Sequence, residues 1–274
     1  MTSVAVSAPG GRDTVHEPAA LRQVALIARR SVSRTFRQPE LVIPVILFPL
    51  ILLAVNAAGL QSVTKLPGFP TNSYINFAIV VCFVQGALFA SITAGTELAS
   101  DIQKGFLDRL ALTPARRWTV LVGATFGGTS VSIVGTLVYL GVGLLFGVHI
   151  EAGVLGAVVL VALAVYIALA FAGIGAWLAI QTGSPEAVQG MFPLLFVLFF
   201  LSTMNLPADF IEKDWFRSIA QANPISFLID GMRGLILDGW DAGTLLPCIA
   251  VATAILVLFF GLASRGLRKR VTRT

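Results

Sequence analysis

The polar segment between Glu97 and Trp118 combines charged and apolar side chains at spacings that could support a docking function. Ile102, Phe106 and Leu110 recur at four-residue steps and share one helical face, with Leu107 at its edge. Charged side chains fill most of the remaining surface: Asp101, Lys104, Asp108 and Arg109. The pair Thr113-Pro114 then ends the helix. A short amphipathic helix of this kind suits a passive membrane-surface element or a lever that fits a groove on a soluble partner. The spacing leaves both roles open.

The sequence does not indicate enzyme chemistry. It contains no Gly-x-Ser-x-Gly or His-Glu-x-x-His motif, and no paired aspartates inside its apolar stretches. Cys82 and Cys248 lie in apolar stretches without histidines at zinc-site spacing. The Gly-x-x-x-x-Gly-Lys-Ser/Thr loop that cradles nucleotide phosphates is also missing. We therefore expect no catalytic residue, no metal site and no cofactor bound by this chain.

Long apolar stretches must position these polar residues. Hydrophobic residues make up 56% of the chain and charged residues only 12%, and the mean hydropathy is +0.87. A helix of about 20 apolar residues crosses the hydrocarbon core, where backbone groups must pair within their own segment. Runs such as Phe192–Leu201 lack the alternation of a membrane barrel strand. The sequence predicts an all-α integral membrane protein with six spans, at 41–60, 75–96, 120–146, 154–180, 188–204 and 245–263.

The distribution of lysine and arginine predicts the orientation of these spans. With both termini in the cytoplasm, fifteen of the 19 basic residues fall on the inner side. The outer side then holds Lys65, Lys213, Arg217 and Arg233. Cytoplasmic loops of membrane proteins carry an excess of basic residues, so we expect both termini in the cytoplasm. The expected location is the cell (plasma) membrane. Anionic lipid headgroups account for the net charge of +5, so no nucleic-acid partner is expected.

Four regions follow along the chain. Residues 1–20 are expected to form a disordered tail, and 265–274 a basic cytoplasmic tail. Between them lie residues 39–264, the region of the six predicted spans, and residues 21–38. In that second region Leu21, Ala25, Ala28, Val32 and Phe36 recur at helical spacing among arginines. The pattern predicts an amphipathic helix at the cytoplasmic interface, either as a surface anchor or as a partner-binding helix.

The segment before the last span is semi-apolar but short. It begins at Asn223-Pro224 and extends to Leu237, about 15 residues, which is too few for a crossing. Asp230 and Arg233 are three residues apart and are expected to pair on one helix face. With the polar stretch before it, the segment predicts a re-entrant or interfacial helix pair at the outer face.

These motifs together resemble the ABC type-2 transporter permeases, and most closely their daunorubicin-resistance branch. The cytoplasmic-loop signature acidic-x-x-basic-Gly ending in Thr-Pro-x-Arg is present between Asp101 and Arg116. The stretch Asn223 to Leu235 matches the segment before the last span. The basic helix before a proline-bearing first span and the six-span topology also agree. The resemblance covers nearly the whole chain from about Leu21.

The resemblance implies a division of labour between subunits. The permease would form a dimer, here expected to be a homodimer in the lipid bilayer, and bind two copies of a cytoplasmic ABC ATPase that hold ATP and Mg²⁺. The helix at about 99–112 would be the coupling helix in the ATPase groove, with Glu97 as a polar gate member at its membrane boundary. The implied coupling residues are Glu97, Asp101, Lys104, Gly105, Phe106, Leu107, Arg109, Leu110, Thr113 and Pro114.

The function predicted from the sequence is the permease subunit of an ATP-driven exporter, which is not an enzyme by itself. The nearly uncharged spans suit an apolar or amphipathic cargo such as a drug or a lipid. Polar residues of the spans are candidates for the substrate pathway: Asn56, Asn76, Gln85, Ser91, Thr93, Ser202, Thr203 and Asn205. Many of these would simply form interhelical hydrogen bonds. Export of polysaccharide or glycolipid, ion-coupled secondary transport and a membrane scaffold are the alternatives.

Overall fold

The computed structural model describes residues 20–105 and 117–271, and within these ranges the chain is helical and contains no strand. The predicted disordered tail and most of the predicted coupling helix, from Phe106 to Pro114, lie outside the described residues. The helices are α1 (Ala20–Thr35), α2 (Pro39–Leu60), α3 (Tyr74–Gln103), α4 (Arg117–Leu145), α5 (Gly153–Thr182), α6 (Pro185–Gly190), α7 (Phe192–Phe200), α8 (Asp214–Ala222), α9 (Pro224–Leu237) and α10 (Ala242–Val271). Short 3₁₀ turns lie at Gln61–Lys65 and Ala208–Phe210.

Within residues 20–105 and 117–271, five helices are long and apolar enough to cross a membrane. They comprise Val42–Lys65, Tyr74–Gln103, Leu121–Leu145, Gly153–Thr182 and Ala242–Arg268. These are the predicted first, second, third, fourth and sixth spans. Each predicted range lies inside its helix or extends beyond an end of it by a single residue, because each is a long apolar run.

The fifth predicted span, 188–204, is not one long helix. Its place is taken by α6 and α7, which together form a short apolar stretch, Pro185–Phe200. At about 1.5 Å per residue this stretch reaches roughly 24 Å, less than the 30 Å of the hydrocarbon core. Pro193 lies at the start of α7, where its missing N–H needs no helical partner, and the chain turns irregular after Phe200. The prediction of six full-length spanning helices is therefore not confirmed.

Helix α3 is the centre of the bundle, and most of its residues are buried. Glycines allow its neighbours to approach at backbone distance. A Cβ atom on Gly175 of α5 would collide with the carbonyl oxygen of Ser91, and one on Gly128 of α4 would lie 2.8 Å from the amide nitrogen of Ala94. Small residues at such contacts are what close helix packing in a membrane requires.

Helix α1 packs alongside the first turns of α4. Ile27 lies against Gly123, and four residues later Ser31 lies against Gly127. Because both positions advance by four residues, the two helices run side by side in the same direction. The region predicted as an amphipathic helix over 21–38 therefore contains a helix, Ala20–Thr35, which packs against α4.

The opposite end of the bundle is closed by α8 and α9. The backbone N–H groups of Glu151 and Ala152, between α4 and α5, donate to the carbonyls of Ile236 and Leu235 at the end of α9. Gly231 of α9 packs against Cys248 of α10. Two helices, α8 and α9, thus precede the last long helix, where the sequence predicted a re-entrant or interfacial pair.

Candidate functional site

Two polar clusters lie at opposite ends of α3. The first, the Glu97 cluster, consists of Glu97 and Asp101 on α3 and of Arg30, Ser31, Arg34 and Thr35 on α1. The second, the α9 stripe, consists of Asn223, Ser226, Asp230 and Arg233. The Glu97 cluster attaches α1 to α3, and the α9 stripe attaches the residues after α7 to α9.

Glu97 accepts hydrogen bonds from two hydroxyls of α1. The Ser31 hydroxyl donates to Oε2 of Glu97 at 3.0 Å, and the Thr35 hydroxyl donates to Oε1. Glu97 and Thr35 are both buried. A buried carboxylate is tolerated where donors surround it, so α1 supplies what the apolar helix α3 cannot.

Asp101, one turn further along α3, forms ion pairs with α1. Nη1 of Arg34 lies 2.6 Å from Oδ1 of Asp101, and Nη2 of Arg30 lies 3.5 Å from the same oxygen. Arg34 also donates to the Ser100 hydroxyl at 3.3 Å. These contacts attach α1 to the last two turns of α3.

Gly127 of α4 completes the Glu97 cluster because it leaves room for the polar atoms. A Cβ atom at this position would overlap Oε2 of Glu97 and lie 2.6 Å from the Thr35 hydroxyl oxygen. The cavity beside the cluster measures only about 10 Å³, hardly enough for one water molecule. The arrangement is therefore a contact that joins three helices, not a ligand pocket.

The predicted coupling helix differs from the structure at its beginning. Residues 99–103 belong to α3, which ends at Gln103, and Gly105 adopts φ +67°, a left-handed conformation that closes a helix and favours glycine. Lys104 is exposed in this turn. A single helix over 99–112 is therefore wrong in its first part. Phe106, Leu107, Arg109, Leu110, Thr113 and Pro114 lie outside the described residues.

The α9 stripe binds the irregular segment that follows α7. The Asn223 side-chain amide donates to the carbonyls of Leu198 and Leu201 at 2.7 and 3.1 Å. The Ser226 hydroxyl accepts from the backbone N–H of Thr203 at 3.1 Å. The end of a helix leaves carbonyl groups without intrahelical partners, and Asn223 supplies donors for two of them.

Arg233 is the most extensively bonded residue of the stripe. Its guanidinium donates to the carbonyls of Phe77, Thr203 and Met204 at 3.2, 3.1 and 3.4 Å. It also lies 2.9 Å from Oδ1 of Asp230, so the predicted i,i+3 pair is confirmed. Burial lowers the pKa of Arg233 to about 10, while Asp230 opposes this change, and the guanidinium therefore stays charged at neutral pH. The three-residue spacing predicted the pair but not the hydrogen bonds from Arg233 to backbone carbonyls.

The predicted substrate-pathway residues separate into two groups. Gln85, Ser91, Thr93, Ser202 and Thr203 are buried within the chain. Ser202 and Thr203 use their hydroxyls internally, toward the Phe199 carbonyl and Asp230.

Asn56 and Asn205 form the second group and are brought together. Nδ2 of Asn56 lies 3.5 Å from Oδ1 of Asn205, and both residues are half-buried. Asn76 is half-buried near the start of α3. Among the predicted pathway residues, only Asn56, Asn76 and Asn205 are partly accessible.

Comparison with known proteins agrees with this architecture. The family described as ABC-2 type transporter matches residues 22–237. The daunorubicin resistance ABC transporter permease protein DrrB1 of Streptomyces coeruleorubidus is 27% identical over 209 residues, which are 73% of this chain and 71% of that protein. The probable doxorubicin resistance ABC transporter permease protein DrrC of Mycobacterium tuberculosis (strain ATCC 25618 / H37Rv) is 25% identical over 248 residues, 85% and 87% of the two chains.

A third similar protein bears the name of a transport permease. The putative transport permease ycf38 of Cyanophora paradoxa is 26% identical over 220 residues, 78% of this chain and 74% of that protein. The family match includes the Glu97 cluster, the segment between α3 and α4, and the α9 stripe. The chain is therefore a member of the ABC-2 type transporter family.

Proposed function

We propose that this chain is the membrane subunit of an ATP-driven exporter for an apolar or amphipathic cargo, either a drug or a lipid. The observation that carries the proposal is the family match over residues 22–237. Two similar proteins bear the names of daunorubicin and doxorubicin resistance permeases, which supports a hydrophobic drug as one class of cargo. The cytoplasm or the inner leaflet is the proposed source of the cargo, and the cell membrane is the proposed location.

The proposed complex contains two copies of a cytoplasmic ATPase and two copies of this chain. ATP and Mg²⁺ would bind to the ATPases. The connection between α3 and α4 is the proposed contact with the ATPase, and the Glu97 cluster supports this role by its position. Asp101 lies only four residues before Gly105, at which the described part of that connection ends.

Motion of the connection would reach other helices through the Glu97 cluster. Ser31, Thr35 and Arg34 join α1 to the end of α3, and α1 leads directly into α2 across a short turn at Phe36–Gln38. Gly127 brings α4 to the same point. A displacement of the end of α3 would therefore act on α1, α2 and α4 together, which suits a transition between inward-facing and outward-facing states.

We also propose a sixth crossing in addition to the five long helices. It is the fifth in chain order and consists of α6, α7 and the irregular residues after them. Val188 lies against Gly95, whereas the Asn205 carbonyl accepts a hydrogen bond from the Tyr74 hydroxyl at 2.9 Å. Tyr74 and Gly95 are 21 residues apart on α3, or about 31 Å at 1.5 Å per residue. That distance equals the thickness of a hydrocarbon core. Six crossings would place both termini in the cytoplasm, in agreement with the distribution of basic residues.

Irregular backbone at membrane depth is tolerated only where protein groups satisfy its polar atoms. The α9 stripe meets this condition for residues 198–204. The contact between Asn56 and Asn205 lies at the end of this crossing, beside Tyr74. Asn56, Asn76 and Asn205 are the proposed pathway residues that a cargo could reach.

Proteoliposomes that contain this chain and its ATPase test the proposal. A fluorescent anthracycline should be transported across the vesicle membrane only with hydrolysable ATP. Glu97→Ala should reduce transport per ATP hydrolysed, because α1 loses the contacts of Ser31 and Thr35 with α3. Transport that continues without the ATPase and stops when an ionophore dissipates the ion gradient would favour secondary transport. Movement of a lipid-linked glycan but not of the anthracycline would favour a glycolipid exporter.

A further inference from the structure

An open groove on α1 has the composition of a phosphate-binding surface. It measures about 450 Å³ and is lined, in the described part of the chain, by Arg30, Ser33, Arg34, Arg37 and Gln38. Arg30 and Arg34 are one turn apart on α1, and Arg37 lies in the turn that follows the helix, so the groove brings the three arginines together. We call this surface the arginine groove.

Two of the three arginines in the groove form ion pairs with a carboxylate of the described residues. Asp101 pairs with Arg34 and more distantly with Arg30, and Glu40 lies in the first turn of α2. Among the described residues no carboxylate lies within ion-pair distance of Arg37, whose side chain is exposed. Guanidinium groups bind phosphate oxygens in a two-pronged geometry, which makes this surface suited to a phosphate group.

The groove also lies next to an apolar surface. Arg37 lies two residues before the start of α2, whose apolar span begins at Val42. Phe36, beside Arg37 in the turn, is 42% exposed, and Ile43 and Leu47 are 51% and 48% exposed on α2. Arginines that are followed along the chain by exposed apolar side chains are complementary to a phospholipid, which has a charged head and apolar chains.

We propose that the arginine groove binds the phosphate of one anionic phospholipid, whose acyl chains lie along Ile43 and Leu47. This binding goes beyond cargo transport and requires only that α1 lies at a membrane surface. The phosphate would be a second acceptor beside Arg34, whose ion pair with Asp101 attaches α1 to the end of α3. The lipid composition of the membrane would then influence the Glu97 cluster.

Native mass spectrometry of the purified full chain in neutral detergent tests this proposal without ATPase or nucleotide. Phosphatidylglycerol is the probe, and phosphatidylcholine is the zwitterionic comparison. The wild-type protein should retain one phosphatidylglycerol per chain in preference to phosphatidylcholine. Arg37→Gln should weaken this retention about fivefold, the equivalent of one arginine contact near a membrane surface.

Arg29→Gln is the matched control, because it removes the same charge from an exposed position of α1 outside the groove. It should leave retention unchanged, and gel filtration shows whether both variants are folded. Equal losses in the two variants would overturn the proposal in favour of net charge alone. Equal retention of phosphatidylcholine would also overturn it, and displacement by inorganic phosphate would assign the groove to free phosphate. Because no ATPase is present, failure here leaves the transport role untouched.

Discussion

The hydroxyl of Tyr139 on α4 donates a 2.8 Å hydrogen bond to the backbone carbonyl of Val45 on α2. Val45 is four residues before Pro49, which has no N–H, so the carbonyl lacks its usual helical partner. Tyr139 replaces the missing donor from a neighbouring helix. A proline inside an apolar helix is tolerated where a neighbour satisfies the freed carbonyl in this way.

Tyr139→Phe should therefore destabilise the protein by about 0.6–1.7 kcal/mol, the range measured for interhelical hydrogen bonds in membranes. The measurement is equilibrium unfolding in detergent micelles. Pro49→Ala restores a backbone donor for Val45, so the cost of Tyr139→Phe should decrease in that background. An unchanged cost would show that the hydroxyl does not compensate for the proline.

Gly127→Ala should destabilise the protein by about 1–3 kcal/mol, because the new methyl group overlaps the polar atoms of the Glu97 cluster. Gly141→Ala, in the same helix, is the control, since no atom lies within 4 Å of the position of its Cβ. That change should be neutral or stabilise by up to about 1 kcal/mol. Thermal unfolding of both variants in detergent distinguishes the two sites. Similar unfolding temperatures would mean that α1 does not pack against α4 in this way.

Arg233→Gln should loosen the segment after α7, because three backbone carbonyls and Asp230 lose their guanidinium partner. We expect a loss of about 1–3 kcal/mol. Amide hydrogen exchange should become faster at residues 201–206, while the middle of α5 stays protected. Lys213→Gln removes an exposed positive charge near α8 and should change neither region. Unaltered exchange in Arg233→Gln would contradict the role of the stripe.

The proposed sixth crossing predicts opposite accessibilities for two exposed positions. Glu186→Cys should react with a membrane-impermeant maleimide only from the cytoplasmic side, and Asp209→Cys only from the outside. The native Cys82 and Cys248 are buried and should not interfere. Labelling of both introduced cysteines from one side would mean that α6 and α7 enter and leave the membrane on the same face.

The sequence predicted the long helices because hydropathy over 20 residues depends on composition alone. Hydropathy overestimated the length of the helix at 188–204, because it does not take account of Pro193 or of the turn-forming Ser202 and Asn205. The pairing of Asp230 with Arg233 was predictable because a three-residue step is local. The single helix expected over 99–112 failed at Gly105, whose left-handed conformation is a backbone property that hydrophobic periodicity does not register.

Contacts between distant residues could not be predicted in this way. Ser31 and Thr35 reach Glu97 across 66 and 62 positions of the chain. Nothing in the local spacing of α1 indicates which of its faces meets α3, because the relevant glycine, Gly127, belongs to a third helix. The bond from Tyr139 to Val45 spans 94 positions and is hidden for the same reason.

The most direct test of the transport role is co-purification of this chain with a candidate ABC ATPase from detergent extracts. Phe106→Asp places a charge in the proposed contact segment, whereas Phe146→Asp makes the same exchange at the other end of α4, where Phe146 is 70% exposed. The wild-type protein and Phe146→Asp should retain the ATPase, and Phe106→Asp should lose it. Retention of a fully active ATPase by Phe106→Asp would contradict the assigned contact, and failure of the wild-type protein to bind any ABC ATPase would contradict ATP-driven transport itself.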